Sequence, residues 1–184
     1  MRKIIVIAFV LFSLASLAAA QIPTSGNAFF GYSFYNADLS SIGRTNTNGW
    51  EASVEGKMLP FIGIVADFDA HYGSQNFPAA CPVVIPNCNA TINLNVTGHN
   101  YLFGPRVSVS VGKIRPFGEA MFGGAHVTAA GSSDISFASA LGGGIDYRLI
   151  RLVAWRLQGD YVHTHLFGFG QNNVRISTGI VVRF

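Results

Sequence analysis

Two histidines separated by a single residue are the first side chains in this sequence whose type and spacing suit a chemical role. His163 and His165 share one face of any β-strand that contains them, so both imidazoles are able to approach one metal ion. His71 and His126 are further candidates for the same end of the fold. No acidic residue or cysteine at a recognisable spacing completes the ligand set, and histidine beside Tyr161 also suits a membrane interface. We therefore predict neither a metal site nor a cofactor.

The same histidines decide whether the chain is expected to be an enzyme. An enzyme that modifies membrane lipids needs a nucleophile, a base and an orienting group close together, where the protein surface meets lipid. His163 and His165 are the nearest candidates, yet the neighbouring serine pattern of a deacylase is missing. We therefore predict no catalytic residues.

Charged residues alternate with apolar ones along several segments and would share one face of a sheet. Three chemical roles are open to them: a polar structural core, a narrow or gated ion path, and a proton-handling carboxylate pair. Linear spacing alone does not distinguish these roles. In a barrel the charges would form an interior network, with opposite signs in hydrogen-bonded pairs because an unpaired buried charge is costly. The predicted members are Glu51, Glu55, Lys57, Asp67, Asp69, Arg106, Glu119, Asp146, Arg156, Asp160 and Arg175.

The two cysteines of the chain, Cys81 and Cys88, fall in the same predicted loop. An isolated pair of cysteines in one loop of an exported protein is typical of a local disulfide bond. We therefore predict a Cys81–Cys88 disulfide, with two free thiols as the alternative.

The first twenty residues predict a secretory signal peptide. Arg2 and Lys3 precede an apolar stretch that ends in three alanines, and the stretch is short for a membrane span. Cleavage would leave residues 21–184 as one domain. Removing Arg2 and Lys3 reduces the twelve basic residues to ten, against nine acidic ones. The mature chain is then nearly neutral, so we expect no binding to nucleic acid.

The composition of the remainder indicates a membrane protein built from strands. Only 11% of the residues are charged and 12% are aromatic, but no segment after residue 20 has the long apolar run of a membrane helix. The other way to cross a bilayer is a closed sheet with alternating apolar and polar faces.

Alternation of this kind recurs along the chain. Residues 50–58 place apolar side chains on one face and glutamates with a lysine on the other, and residues 62–72 repeat the pattern after a tight turn at 59–60. In residues 116–128 the choice of faces is open, and placing Glu119 inward puts Phe122 outward. Weaker alternation predicts the remaining strands at 30–34, 101–109, 137–147, 153–161 and 173–184.

The connections between these eight strands also alternate in length. Short turns are predicted near 59–60, 110–115 and 148–151, and long polar loops at 36–48, 73–92, 129–136 and 166–172. Long extracellular loops and short periplasmic turns are typical of outer-membrane barrels, which have an even number of strands and both termini in the periplasm. The predicted fold is all-β: an eight-stranded antiparallel up-and-down transmembrane β-barrel.

Four segments resemble the OmpA-like outer-membrane β-barrel domain family: RPFGEA at 115–120, GGGIDYR at 142–148, QGDY at 158–161 and NVRISTGIVVRF at 173–184. The resemblance implies a location in the bacterial outer membrane. It also implies that Phe184, at the end of an alternating strand, is the signal read by the barrel-assembly machinery. Since no peptidoglycan-binding domain follows, a role in tethering the membrane to the wall is not expected.

These features together predict a non-enzymatic outer-membrane barrel with an envelope-structural or surface-interaction role. Its expected partners are outer-membrane lipid and lipopolysaccharide, with the barrel-assembly machinery and periplasmic chaperones during biogenesis, and it is expected to be a monomer. The alternatives are a small pore or a lipid-modifying barrel enzyme, and then a soluble lipocalin-like binder. A soluble binder needs apolar residues inside and charges outside, which is the reverse of the predicted assignment.

Overall fold

A computed structural model of the chain describes residues 25–38, 44–78, 91–129, 132–166 and 168–184. The predicted signal peptide and both cysteines lie outside these residues. Within the described ranges, no helix is long and apolar enough to cross a membrane. The described residues form eight strands: β1 (Gly26–Asp38), β2 (Arg44–Lys57), β3 (Ile62–Pro78), β4 (Thr91–Ser108), β5 (Ile114–Ala129), β6 (Ser132–Arg148), β7 (Val153–Leu166) and β8 (Phe169–Arg183).

The eight strands close into an antiparallel barrel in which each strand pairs with its neighbours in the chain and β1 pairs with β8. In the closing ladder, Phe30 lies opposite Ile180 and Phe34 lies opposite Ile176. Closure leaves no sheet edge with unpaired backbone groups, which is the condition for a sheet to exist in hydrocarbon. The predicted fold class is confirmed.

The two faces of the barrel differ in the way that the alternation predicts. Along β7, every second residue from Ala154 to Leu166 is buried and the residues between them are exposed. The open question of faces in 116–128 is settled by Glu119, which is buried, and Phe122, which is exposed. Many of the outward side chains are large and apolar; Leu141 is 68% exposed and Phe30 is 64% exposed.

Three of the predicted long loops are shorter than expected. The predicted loops at 36–48, 129–136 and 166–172 become connections at 39–43, 130–131 and 167–168. The flanking residues continue the strand ladder instead: Asn36 pairs with Asn46, and Thr128 pairs with Ser133. The predictions were wrong because polar composition was taken to end a strand, whereas polar residues extend a ladder equally well where it leaves the apolar belt.

The fourth predicted loop, 73–92, is shorter as well, because β3 and β4 both run into it; the connection at 79–90 is still the longest between the strands. At the end of the barrel that carries the chain termini, the turns are 58–61, 109–113 and 149–152. Gly112 and Gly168 have φ angles of 63° and 79°, which favour glycine because it has no side chain to clash.

Candidate functional site

The candidate site is the charged interior of the barrel. Ten of the eleven residues expected in the interior network are buried, and Lys57 is half-buried at the end of β2. Some of their hydrogen bonds cross the lumen between strands that are not neighbours, such as Gln158 on β7 to Glu51 on β2 at 2.8 Å. The side chains are therefore inside the barrel. Among the described residues, seven carboxylates and four arginines are buried, and they separate into two groups.

The first group, which we name the balanced cluster, lies towards the chain termini and pairs three carboxylates with three arginines. Glu55 accepts from Arg115 at 2.5 Å and from Arg106 at 3.3 Å. Its members are Glu55, Arg106, Arg115, Glu119, Asp146 and Arg156. Equal numbers of opposite charges, each within hydrogen-bonding reach, offset much of the cost of removing them from water.

The remaining pairs of the balanced cluster are bidentate or shared. Two nitrogens of Arg106 approach the same oxygen of Glu119, Oε2, at 2.6 Å and 2.5 Å. Arg156 forms a bidentate pair with both oxygens of Asp146, at 2.7 Å and 3.1 Å, and Arg115 lies 3.4 Å from the same carboxylate. Bidentate pairs of this kind fix orientation as well as charge.

One aromatic ring stands between two guanidinium groups of the balanced cluster. Phe117 points inward from β5, with the guanidinium carbon of Arg106 4.5 Å from its ring centroid and that of Arg156 4.6 Å away. Arg156 also lies 5.0 Å from the ring of Phe29. Cations above an aromatic face are attracted to it, and the planar rings separate two like charges that would otherwise repel each other.

The second group, which we name the Arg175 cluster, is not balanced. The single guanidinium of Arg175 contacts four carboxylates, those of Glu51, Asp67, Asp69 and Asp160. The distances are 2.6 Å to Asp67 and 2.9 Å to Asp160. All five side chains are almost completely buried. The Arg175 cluster therefore gathers four carboxyl groups around one positive charge.

Neutral donors and one histidine supply the other contacts of these carboxylates. Ser177 donates to Glu51 at 2.5 Å, and Asn100 donates to Asp69 at 2.8 Å. His71 lies inside the barrel, with Nδ1 2.9 Å from Asp69 and Nε2 hydrogen-bonded to a serine of β1. These neutral donors reduce the repulsion among the carboxylates without neutralising them.

An apolar layer fills the lumen beside and beyond the Arg175 cluster. Tyr35 packs with its ring centroid 4.6 Å from that of His71. The layer continues across β3 to β7 with Val65, Leu102, Met121, Ala125, Ala138, Ala140, Val162 and Leu166. An eight-stranded barrel is only wide enough for its side chains to fill it. The interior is therefore a packed polar core with an apolar cluster beside it.

Sequence reasoning missed one charged member, Arg115, which is 3% exposed and contacts both Glu55 and Asp146. The available signal was its spacing, since residue 115 lies four positions before Glu119 and therefore on the same face of a strand. Uncharged polar residues also contribute buried side chains that were not predicted as site residues: Asn27, Ser33, Asn100, Asn173 and Ser177.

The histidines do not come together as the sequence suggested. His163 and His165 are on the outer face of β7, whereas His71 is inside the barrel. His126 instead stacks on His99 across β4 and β5, with ring centroids 6.4 Å apart. Within the part of the chain that the structure describes, no three histidine, cysteine or acidic residues are placed to hold a metal ion.

His163 does have polar neighbours on both sides. Ser139 lies opposite it on β6, and Asn172 lies opposite it on β8. The imidazole is held by Asn172, with Nδ1 2.8 Å from the amide oxygen. No hydrogen bond joins Ser139 to His163 among the described residues, so a nucleophile–base pair is not formed at this position.

Comparisons with known proteins show the fold of the chain but not its family. No protein-family model and no curated protein match the sequence. Among solved structures, Neisserial surface protein A has a TM-score of 0.64 at 12% identity, over 86% of this chain and 97% of that chain. Ail, the attachment invasion locus protein of Yersinia pestis, has a TM-score of 0.53 at 14% identity, over 87% and 98%.

A third neighbour is the N-terminal β-barrel domain of OprF from Pseudomonas aeruginosa. Its TM-score is 0.51 at 9% identity, over 89% of this chain and 100% of that chain. The three neighbours are small eight-stranded outer-membrane barrels. The chain shares their fold, and the OmpA-like family stays a prediction from the sequence.

Proposed function

We propose that the chain is a non-enzymatic protein of the bacterial outer membrane with an envelope-structural or surface-interaction role. The observation that carries the proposal is the inverted distribution of side chains. Arg175 and Arg156 are fully buried inside the barrel, while Leu141 and Phe30 are mostly exposed outside it. In water, such a molecule would expose a continuous apolar belt that a soluble protein does not tolerate. In a bilayer, the same belt meets hydrocarbon.

The same inversion argues against the soluble lipocalin-like alternative. A soluble binder keeps a ligand cavity lined by apolar side chains inside and charges outside. Here the charges of the balanced cluster and the Arg175 cluster occupy the interior. A structural likeness to outer-membrane barrels from other bacteria supports the membrane interpretation.

The proposed orientation places both termini in the periplasm and the connections 39–43, 79–90, 130–131 and 167–168 at the cell surface. Outer-membrane lipid and lipopolysaccharide would surround the belt, and periplasmic chaperones with the barrel-assembly machinery would deliver the chain. The closed ladder between β1 and β8 supports a monomer, because no strand edge is left to pair with a second copy. Nucleic acid is not a proposed partner.

Packing of the lumen favours a structural barrel over a pore. On the side of the Arg175 cluster away from the chain termini, Tyr35 and Leu166 fill the lumen together with the buried Thr47, Thr164 and Asn173. Side chains that fill the lumen leave little room for ions, so this packing supports a barrel without steady conductance. Planar-bilayer recordings test this step, and a stable selective conductance would favour the pore instead.

Two arginine substitutions on the outer face of β6 test the membrane location. Leu141 is in the middle of the strand, whereas Ile135 is three residues from its first residue, and both are exposed. An arginine facing lipid costs about 2–4 kcal/mol at the bilayer midplane and about 0–1 kcal/mol near the interface. Leu141→Arg should therefore lower the amount of heat-modifiable protein in the outer-membrane fraction, and Ile135→Arg should not.

Recovery of the wild-type protein from the soluble periplasmic fraction would contradict the proposal. So would equal membrane levels of both variants, because side chains facing water show no dependence on depth.

A further inference from the structure

The outer wall of the barrel contains a groove that the charged interior does not explain. It spans β1 to β4 and has a volume of about 700 Å³, within the range of roughly 300–1,000 Å³ found for ligand pockets. Its outward lining is formed by Ala28, Ala52, Val54, Ala66, Phe68, Tyr101 and Phe103.

The groove arises from a checkerboard of small and large side chains on adjacent strands. One row across the wall runs from Ala28 to Val54, Ala66 and Phe103. In the next row the large and small side chains change places, and Ala52 lies between Phe30 and Phe68. Ala52 and Ala66 therefore have larger side chains beside them on both neighbouring strands. The alanines form the floor of the groove and the larger side chains form its walls.

The apolar lining of the groove favours hydrocarbon as its occupant. The outward side chains of its lining are apolar except for the tyrosine hydroxyl, so water in the groove would lack hydrogen-bond partners. The groove is also continuous with the apolar belt, because Phe30 and Phe103 at its margins are both more than 60% exposed. Whatever surrounds the belt therefore fills the groove.

A group of amphipathic rings marks one end of the groove. Trp50 packs on Phe68 with ring centroids 5.1 Å apart, and His99 stacks on the other side of Phe68 at 6.2 Å. His126 continues the row. Tryptophan and other amphipathic rings prefer the level of the lipid headgroups. A chain in the groove would thus start at this level and extend towards the chain termini of the barrel.

We propose that this groove holds one acyl chain of a membrane lipid whose headgroup lies beside Trp50 and His99. The proposal rests on the proposed membrane location, and it goes further by assigning a single site on one side of the barrel. The remaining wall then exchanges lipid freely, whereas the groove retains a chain because the chain contacts protein on both sides.

The two tryptophans of the sequence allow a direct test, because Trp50 borders the groove and Trp155 faces outward from β7 on the opposite wall. Trp155→Phe leaves Trp50 as the only reporter, and Trp50→Phe leaves Trp155. Each variant is refolded in detergent micelles and titrated with phosphatidylethanolamine brominated on its acyl chains, which quenches nearby tryptophan. We expect Trp50 fluorescence to fall along a saturable curve and Trp155 fluorescence to follow the bulk fraction of brominated lipid.

Variants that fill the groove test the site directly, and a similar substitution elsewhere on the outer wall is the matched control. Ala52→Phe with Ala66→Phe should abolish the saturable part of the Trp50 quenching, and Ala66→Leu alone should weaken it. Ser139→Phe, an outward substitution on β6, should leave the curve unchanged. Heat-modifiable migration is measured for every variant, so a barrel that does not fold is recognised separately from a groove that does not bind.

Identical quenching curves for Trp50 and Trp155 would overturn the proposed site. A saturable curve that survives the filling substitutions would overturn it as well. Failure of the wild-type protein to fold in micelles or enter membranes would instead contradict the proposed function.

Discussion

Arg175 on β8 donates through Nη1 to both Asp67 and Asp69, which lie on β3 at the opposite wall of the barrel. Two inward residues of one strand are thus held by one nitrogen of a guanidinium. The same arginine also reaches Asp160 on β7 and Glu51 on β2. This single side chain therefore links four strands, and four carboxyl groups share its one positive charge.

The first prediction follows from the difference between the two charge clusters. Asp146→Asn removes the carboxylate that pairs with Arg156, and it leaves Arg115 with Glu55 as its remaining carboxylate partner. Such a loss is expected to lower the free energy of unfolding by about 3–5 kcal/mol. Asp67→Asn removes one of four carboxylates around Arg175 and relieves repulsion, so it should change stability by less than about 1 kcal/mol. Urea unfolding in lipid vesicles gives both values, and equal losses would contradict the distinction.

A second prediction concerns Arg175 itself. Arg175→Gln leaves four buried carboxylates without a cation, and we expect a loss of at least about 3–5 kcal/mol. If repulsion among the carboxylates is the cause, adding Asp67→Asn should restore part of the loss. The double-mutant cycle is measured by the same urea titration. Strictly additive effects would mean that the two residues act independently.

The third prediction tests the ring between Arg106 and Arg156. Phe117→Leu removes the aromatic face from both guanidinium groups while keeping an apolar side chain. A desolvated cation–π contact contributes about 2 kcal/mol or more, so a loss of roughly 2–4 kcal/mol is expected when both contacts are removed. Phe122→Leu is the matched control on the same strand, because Phe122 faces outward. A similar loss for both variants would show that general packing, and not the two arginines, is responsible.

Local alternation was sufficient to predict the faces of the barrel. In residues 50–58 the charged positions alternate with apolar ones, and Glu51 and Glu55 are buried while Val54 is exposed. The period of two depends only on the backbone geometry of a strand. For the same reason it could also have identified Arg115, which was overlooked because Pro116 was taken as the start of the strand.

The pairing inside the lumen could not be predicted in the same way. Arg175 and Asp67 are 108 positions apart, and their contact depends on the tilt and closure of the whole barrel. The excess of carboxylates around Arg175 is likewise invisible in the sequence, where acids and bases look evenly mixed.

The fourth prediction concerns Cys81 and Cys88, which lie outside the described residues. Both belong to the connection 79–90, which the proposed orientation places at the cell surface. Under oxidising conditions a disulfide in such a short loop is favourable. Mass spectrometry of unreduced protein from its native envelope should detect a linked peptide that contains both cysteines. Two thiols that react freely with iodoacetamide would exclude the bond.

The last prediction concerns the way in which the barrel is closed. Phe184 follows β8, and its backbone exchanges hydrogen bonds with Gly26, at 2.8 Å from Gly26 N and 3.1 Å from Phe184 N. Its ring is 62% exposed on the outer face, so it lies where an interfacial anchor is expected. Deleting Phe184 removes both hydrogen bonds at the end of the β1–β8 ladder, together with the terminal residue that resembles an assembly signal.

We expect the truncated chain to accumulate in the periplasm as protease-sensitive material, although the remaining β1–β8 pairs should still let it fold in detergent. Phe184→Tyr keeps the backbone bonds and an aromatic ring, so it should reach the outer membrane at wild-type levels. Phe184→Gly keeps the backbone bonds but removes the ring, and therefore separates ladder closure from ring recognition. If the deletion variant is assembled as well as the wild type, Phe184 has no role in delivery, whereas the closed ladder from Asn27 to Asn36 is sufficient for a stable barrel.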